Sequence, residues 1–272
     1  MMACSSFLPA GICAAPIFSA PILSAPWATG PALAVMAVGL LVAGFARGYS
    51  GFGFSALLVA TWSLVAPPAV PVAVTMLLEL SASLLQATSV WRQVDWRRVG
   101  LLLAGAVIGT PFGVAVLGIA SPDLLRLVIA ALLLACCGAL LAGYVLKRQL
   151  GAPGDIAVGG VSGLANGATA MGGLPVALFL AASGVAPAVM RATFIAYFFP
   201  LDIITISLMV RQGVVGWDTL ALALICLPGL VIGLVLGGRH FLSASPEQFR
   251  RHTLYLLIGL ALVGLVRASG LV

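Results

Sequence analysis

From Pro31 onward the chain is a succession of apolar runs separated by short clusters of charge, proline and glycine. The runs are Pro31–Ala46, Phe54–Ala66, Ala69–Trp91, Arg98–Ile119, Leu124–Leu146, Ile156–Ala165, Leu174–Ser183, Ala188–Val210, Thr219–Gly237 and Thr253–Val266. Continuous apolar stretches of about 18 residues or more predict membrane-spanning helices. The third, fourth and fifth runs are read as full spans in the first half and the eighth, ninth and tenth in the second, the tenth being the shortest of these at 14 residues. The two runs that open each half are shorter and interrupted by glycine. Pro67-Pro68, Ser121-Pro122-Asp123 and Ser245-Pro246-Glu247 are turn or helix-start signals. No segments of alternating polarity suggest a β-barrel.

The halves echo each other. Gly44-Phe-Ala-Arg-Gly48 matches Gly163-Leu-Ala-Asn-Gly167 at an offset of 119 residues. At that offset Ser50 meets Thr169, Gly53 meets Gly172 and Pro68 meets Pro187. The ladder Gly105, Gly109, Gly113 recurs as Gly229, Gly233, Gly237, and Arg92-Gln93 recurs as Arg211-Gln212. Two glycine ladders alone are ordinary helix-packing surfaces, but the ordered series points to duplication. The expected architecture is therefore an all-α polytopic membrane protein of two repeats, residues 31–150 and 151–272. Each repeat is a glycine-broken short helix pair, or a re-entrant hairpin, followed by three transmembrane helices. Residues 1–30, apolar and containing Pro9, Pro16, Pro21 and Pro26 without Lys or Arg, form an extension that lacks the basic start of a secretory signal.

Composition agrees with this reading: 62% of residues are hydrophobic and 7% charged, too few charges to coat a soluble particle. The net charge of +6 does not imply nucleic acid, because the basic residues sit at helix ends, where orientation is decided. If each broken pair begins and ends on one side, Arg92, Arg97, Arg98, Lys147, Arg148, Arg191, Arg239, Arg250 and Arg251 share a side. Arg126, Arg211 and Arg267 then lie opposite. The positive-inside rule makes the first side cytoplasmic. An odd number of passes per half inverts the repeats, as in many secondary transporters, whose sites form where helices are interrupted near the midplane.

The two breaks, Gly48–Gly53 and Gly167–Gly173, carry the candidate chemistry. Irregular backbone at membrane depth is tolerated only when buried or lining a wet cavity. Each break exposes amides at the start of the following half-helix, a favourable place for an anion. Gly51, Gly53, Gly172 and Gly173 allow close backbone approach, while Tyr49, Ser50, Asn166 and Thr169 add polar groups. Arg47 is either a cytoplasmic topology marker or the counter-charge, its planar fork suited to an oxyanion. Its repeat partner is Asn166, so the site carries one charge rather than two.

Glu79 and Asp202 lie in the middle of corresponding apolar runs. Ionisable groups at that depth are functional candidates; either carries a proton or serves to tie helices together. Ser81, Ser83, Gln86, Thr205 and Ser207 extend a polar path or bond their own helix. Cys4, Cys13, Cys136, Cys137 and Cys226 lack metal-ligand spacing, and His240 and His252 fall among arginines in a polar loop. No metal site, cofactor or catalytic motif is expected.

Taken in order, Gly44–Gly53, Asp95-Trp96, GLANGATAMGGLP, Arg191-Ala-Thr193, Gly229–Gly237 and Phe249-Arg250 resemble the TauE/SafE sulfite exporter family, also called the 4-toluene sulfonate uptake permease family. The resemblance covers the chain from about Pro31. It implies an inner-membrane secondary transporter of sulfite, organosulfonates or related small anions, driven by protons. It also implies substrate roles for Arg47, Ser50, Gly51, Gly53, Thr169, Gly172 and Gly173. Phe54-Ser55 departs from the glycine and proline found there in many members. The partners expected are a small anion, protons and the lipid bilayer, with oligomeric state left open. An uncoupled anion facilitator and a non-transporting membrane subunit are the alternatives.

Overall fold

A computed structural model describes residues 28–50, 53–90, 93–143, 151–240, 254–255 and 257–262, and every regular element among them is helical. The order is α1 (Gly30–Ser50), α2 (Phe54–Trp62), α3 (Ala69–Val90), α4 (Trp96–Ile119), α5 (Pro122–Leu141), α6 (Gly151–Thr169), α7 (Gly173–Ala182), α8 (Pro187–Arg211) and α9 (Trp217–His240). Helical residues follow at 254–255 and 257–262. Six of these helices, α1, α3, α4, α5, α8 and α9, are long and apolar enough to cross a bilayer. The chain is a multi-pass membrane protein. Residues 1–27 and the basic positions Arg92, Lys147, Arg148, Arg250, Arg251 and Arg267 lie outside the described residues.

The long helices pack across the halves. α4 lies on α6 and α1 on α9, while α3 and α8 pack on each other. Exchanging α1 with α6, α3 with α8 and α4 with α9 maps these contacts onto themselves, and it also maps α4–α8 onto α3–α9. The glycines explain the two strongest pairs. A Cβ on Gly105, Gly109 or Gly113 would strike the backbone of Ile156, Gly160 and Leu164 in turn. In the other pair a Cβ on Gly44 would lie 3.2 Å from Gly233 Cα, and one on Gly237 would strike Phe45 O. In both, contact positions rise together along the two helices, so the helices run parallel. Lipid chains are as apolar as leucine, so close backbone packing replaces hydrophobic burial as the adhesive.

This packing corrects one expectation. Gly48 and Gly167, expected to open the two breaks, lie inside α1 and α6, and like Gly44 and Gly163 they are helical contact residues. α1 and α6 are consequently longer than their apolar runs, at 21 and 19 residues, and only α2 and α7 are short, at 9 and 10. The interruption in the second half narrows to Ala170–Gly172, and in the first it falls between Ser50 and Phe54. Glycine costs a helix about 1 kcal/mol, which neighbouring contacts offset.

Each short helix folds back on the long one before it. Trp62 Nε1 at the end of α2 donates to Met36 O in α1 at 2.9 Å. At the end of α7, Phe179 and Ser183 share a polar cavity of about 80 Å³ with Gly151 and Asp155 at the start of α6 and with Asp95, Arg97 and Arg98 of the α4 entrance. Both pairs are hairpins that return toward the level at which they began. Their tips reach the middle of α3 and α8.

Candidate functional site

The C-terminal turn of α1 delivers Arg47 to the centre of α3 at Glu79, ten residues from Ala69 and eleven from Val90, and so roughly 15 Å along its axis. Arg47 Nη1 lies 2.6 Å from Glu79 Oε1, with the two side chains 2% and 5% exposed. One turn further along α3, Ser83 Oγ accepts from Arg47 Nη2 at 3.2 Å. Glu79 Oε2 is buried and meets no hydrogen-bond partner among the described residues. The guanidinium is thus buried inside the protein, with a carboxylate on one arm and a hydroxyl on the other.

The C-terminal turn of α6 places Asn166 in the equivalent setting on α8. Asn166 Nδ2 donates to Thr205 Oγ1 at 3.2 Å and lies 3.4 Å from Asp202 Oδ1. It also reaches Met76 Sδ of α3 at 3.7 Å, one turn from Glu79, so both hairpin tips touch α3. The bonds Arg47–Ser83 and Asn166–Asp202 span the same 36 residues. They are one interaction in two chemical versions, cation to hydroxyl and amide to carboxylate. Glu79, shifted one turn from Ser83, is the addition that places a full charge pair in the first half. Asp202 interacts electrostatically with Glu79 and Arg47, which joins the two half-sites. Asp202 Oδ2 and Asn166 Oδ1 are buried without hydrogen-bond partners among the described residues.

The second interruption is fixed from inside. Ser162 Oγ donates to Gly172 O at 2.7 Å, and Tyr197 OH donates to Ser162 Oγ at 2.9 Å. A Cβ on Gly172 would lie 2.6 Å from Ser162 O, so glycine is required by close approach to α6; its φ of −56° is helical. The positive φ falls instead on Ala170, at 60°, and in the first interruption on Gly53, at 87°. Neither α2 nor α7 has a side-chain N-cap; in the first turn of α7, Leu174 N donates to Met171 O at 3.2 Å.

The other expected site residues are less central. Thr169 Oγ1 donates to Ala165 O of its own helix at 2.8 Å, and Ser81 and Ser207 likewise bond their own helices. Tyr49 is buried with its ring 6.3 Å from that of Phe45. Gly173 begins α7, where an added Cβ would lie 3.7 Å from Phe198 Cζ. Gly51 and the Ser50 side chain lie outside the described residues. Sequence reasoning missed Ser162 and Tyr197, whose residue types are unremarkable in an apolar run; their repeat positions hold Ala43 and Leu78, so no echo flagged them. It also missed Asp155, which pairs with Arg98 at 3.3 Å where α6 begins. Arg98 in turn stands 5.9 Å from the Phe179 ring centroid.

The sulfite exporter TauE/SafE family model matches residues 10–264. The chain belongs to the TauE/SafE sulfite exporter family. The match starts inside the segment set apart above as an extension, so that segment is partly shared with the family. No curated protein and no solved structure matches the chain. As a TauE/SafE protein it belongs to a family of membrane transporters. Among the described residues no group of His, Cys, Asp and Glu is arranged to hold a metal ion.

Proposed function

We propose that the protein is a secondary transporter of the bacterial inner membrane that carries a small oxyanion, sulfite or an organosulfonate, coupled to protons. Two inverted repeats, 31–150 and 151–272, alternate access to a site between the hairpin tips. Arg47 is the counter-charge for the anion, Asn166 and the α2 and α7 amides its neutral donors, and Glu79 or Asp202 the proton carrier. The single observation that carries the reading is the buried Arg47–Glu79 pair at the centre of α3. Charges at that depth are costly and persist where they work on a substrate or ion path. The inverted arrangement is supported by the parallel pairing of α1 with α9 and α4 with α6 and by its exchange symmetry. If α3 crosses fully, the two hairpins enter from opposite sides.

The test is uphill accumulation of labelled sulfite in reconstituted vesicles under an imposed pH gradient. Accumulation that collapses with the gradient supports the coupled carrier. Flux that only equilibrates assigns an uncoupled facilitator, and absence of flux with co-purification of a partner protein assigns a membrane subunit.

A further inference from the structure

Arg47 offers its terminal nitrogens to two acceptors on α3, Glu79 Oε1 and Ser83 Oγ. The guanidinium and both acceptors are buried. A carboxylate presents two oxygens about as far apart as those of a sulfite or sulfonate group, and Arg recognises both by the same fork. An incoming oxyanion therefore meets a guanidinium arm already held by an internal anion of the same kind.

We infer that Glu79 and the transported oxyanion compete for Arg47, and that Glu79 takes up a proton as the anion displaces it. This rests on the transport reading above and deepens it. The step balances: the Arg47⁺–Glu79⁻ pair, one monoanion and one proton become an Arg47⁺–anion pair and a neutral Glu79. The site is net neutral before and after. Without the proton, displacement would leave a lone carboxylate inside the bilayer, which is the arrangement most strongly disfavoured there. Ser83 stays as the second acceptor for Arg47 during the exchange.

Among the described residues the groups facing this pair are few. From α8 they are Asp202, which interacts with both Glu79 and Arg47, and Arg191, which interacts with Arg47. On α1 Tyr49 lies two residues beyond Arg47, and α2 carries no charged residue. The charges of α9, Asp218 and Arg239, sit at its ends. Asp202 is held by Asn166 and is not the group that pairs with Arg47. Glu79, not Asp202, is thereby assigned the coupling proton. Two consequences are specific. Anion and proton move in the same direction, and a monoanion is carried without net charge.

The decisive measurement is proton uptake by the purified full-length protein in weakly buffered detergent solution on adding methanesulfonate, whose charge is constant near neutral pH, with sulfite as a second probe. About one proton is taken up per methanesulfonate bound, and affinity falls about tenfold per pH unit, the slope for one linked proton. In Glu79→Gln both the uptake and the pH dependence disappear while binding persists. In vesicles, methanesulfonate flux follows an imposed pH gradient and ignores an imposed membrane potential. Binding without proton uptake in the wild-type protein overturns the competition but leaves the carrier reading standing. Uptake that survives Glu79→Gln and vanishes in Asp202→Asn overturns the assignment to Glu79. Binding of neither probe overturns the carrier reading itself. The wild-type proton count needs no variant to fold.

Discussion

Arg47 and Glu79 meet 2.6 Å apart across the α1–α3 contact, both almost wholly removed from solvent. An ion pair of this kind contributes little net stability against an apolar replacement, but breaking it strands one charge. Arg47→Ala is accordingly expected to lower stability by about 3–5 kcal/mol and to abolish anion flux. Arg47→Lys keeps the charge and loses the fork, so flux falls by at least about tenfold, the effect of losing roughly 1.4 kcal/mol of binding. Thermal unfolding in detergent and sulfite flux in vesicles read the two effects. Normal flux in both variants would reduce Arg47 to a structural residue.

The carboxylates make a separate prediction about driving force. Glu79→Gln and Asp202→Asn remove a titratable group while keeping size and hydrogen-bonding capacity. Flux through a variant that lacks the coupling group continues down the anion gradient but no longer responds to a pH gradient. Coupling left intact in both would remove protons from the proposed cycle.

Glycine packing between the halves predicts a sharp positional contrast. At Gly109 an added methyl would strike the Gly160 carbonyl, whereas at Gly138 a Cβ meets nothing within 4 Å. Gly109→Ala is expected to cost about 1–3 kcal/mol or more through overpacking. Gly138→Ala should be neutral or stabilising by up to about 1 kcal/mol, because it raises helix propensity. Melting temperatures of the two variants, measured side by side, decide the matter.

Ala170 holds a φ of 60° in the second interruption, a conformation that costs an L-residue roughly 1–2 kcal/mol. Its repeat position is Gly51. Ala170→Gly relieves that strain but widens the unfolded ensemble, leaving a net change between about zero and 1 kcal/mol of stabilisation. Ala170→Val should destabilise by about 1–2 kcal/mol, since a β-branched residue tolerates positive φ poorly. Equal melting temperatures for the Gly and Val variants would contradict this account.

The inverted topology is open to chemical labelling. Trp96 and Trp217 begin α4 and α9, which correspond in the two repeats, and both are exposed. In a cysteine-free background, Trp96→Cys is expected to react with an impermeant thiol reagent only from the cytoplasm, and Trp217→Cys only from the other side. Labelling of both from one side would refute inversion.

Helix content and the multi-pass class were legible in residue order alone, because a bilayer accepts only segments that satisfy their own backbone and offer apolar side chains. The echo between GFARG and GLANG was legible too, as were the mid-helix positions of Glu79 and Asp202. What those glycines do was not. A glycine that ends a helix and one that lets a second helix approach look identical in a sequence, and only the contacts of Gly44 with Gly233 and of Gly109 with Gly160 distinguish them. The pairing of Arg47 with Glu79 rather than with solvent, and the tether from Tyr197 through Ser162 to Gly172, likewise join residues that are far apart in the chain. Local pattern records what each segment needs from its surroundings. Which segment supplies it is decided by how α1 packs on α9 and α6 on α4, so that their ends meet α3 and α8, and that is a property of the assembled fold.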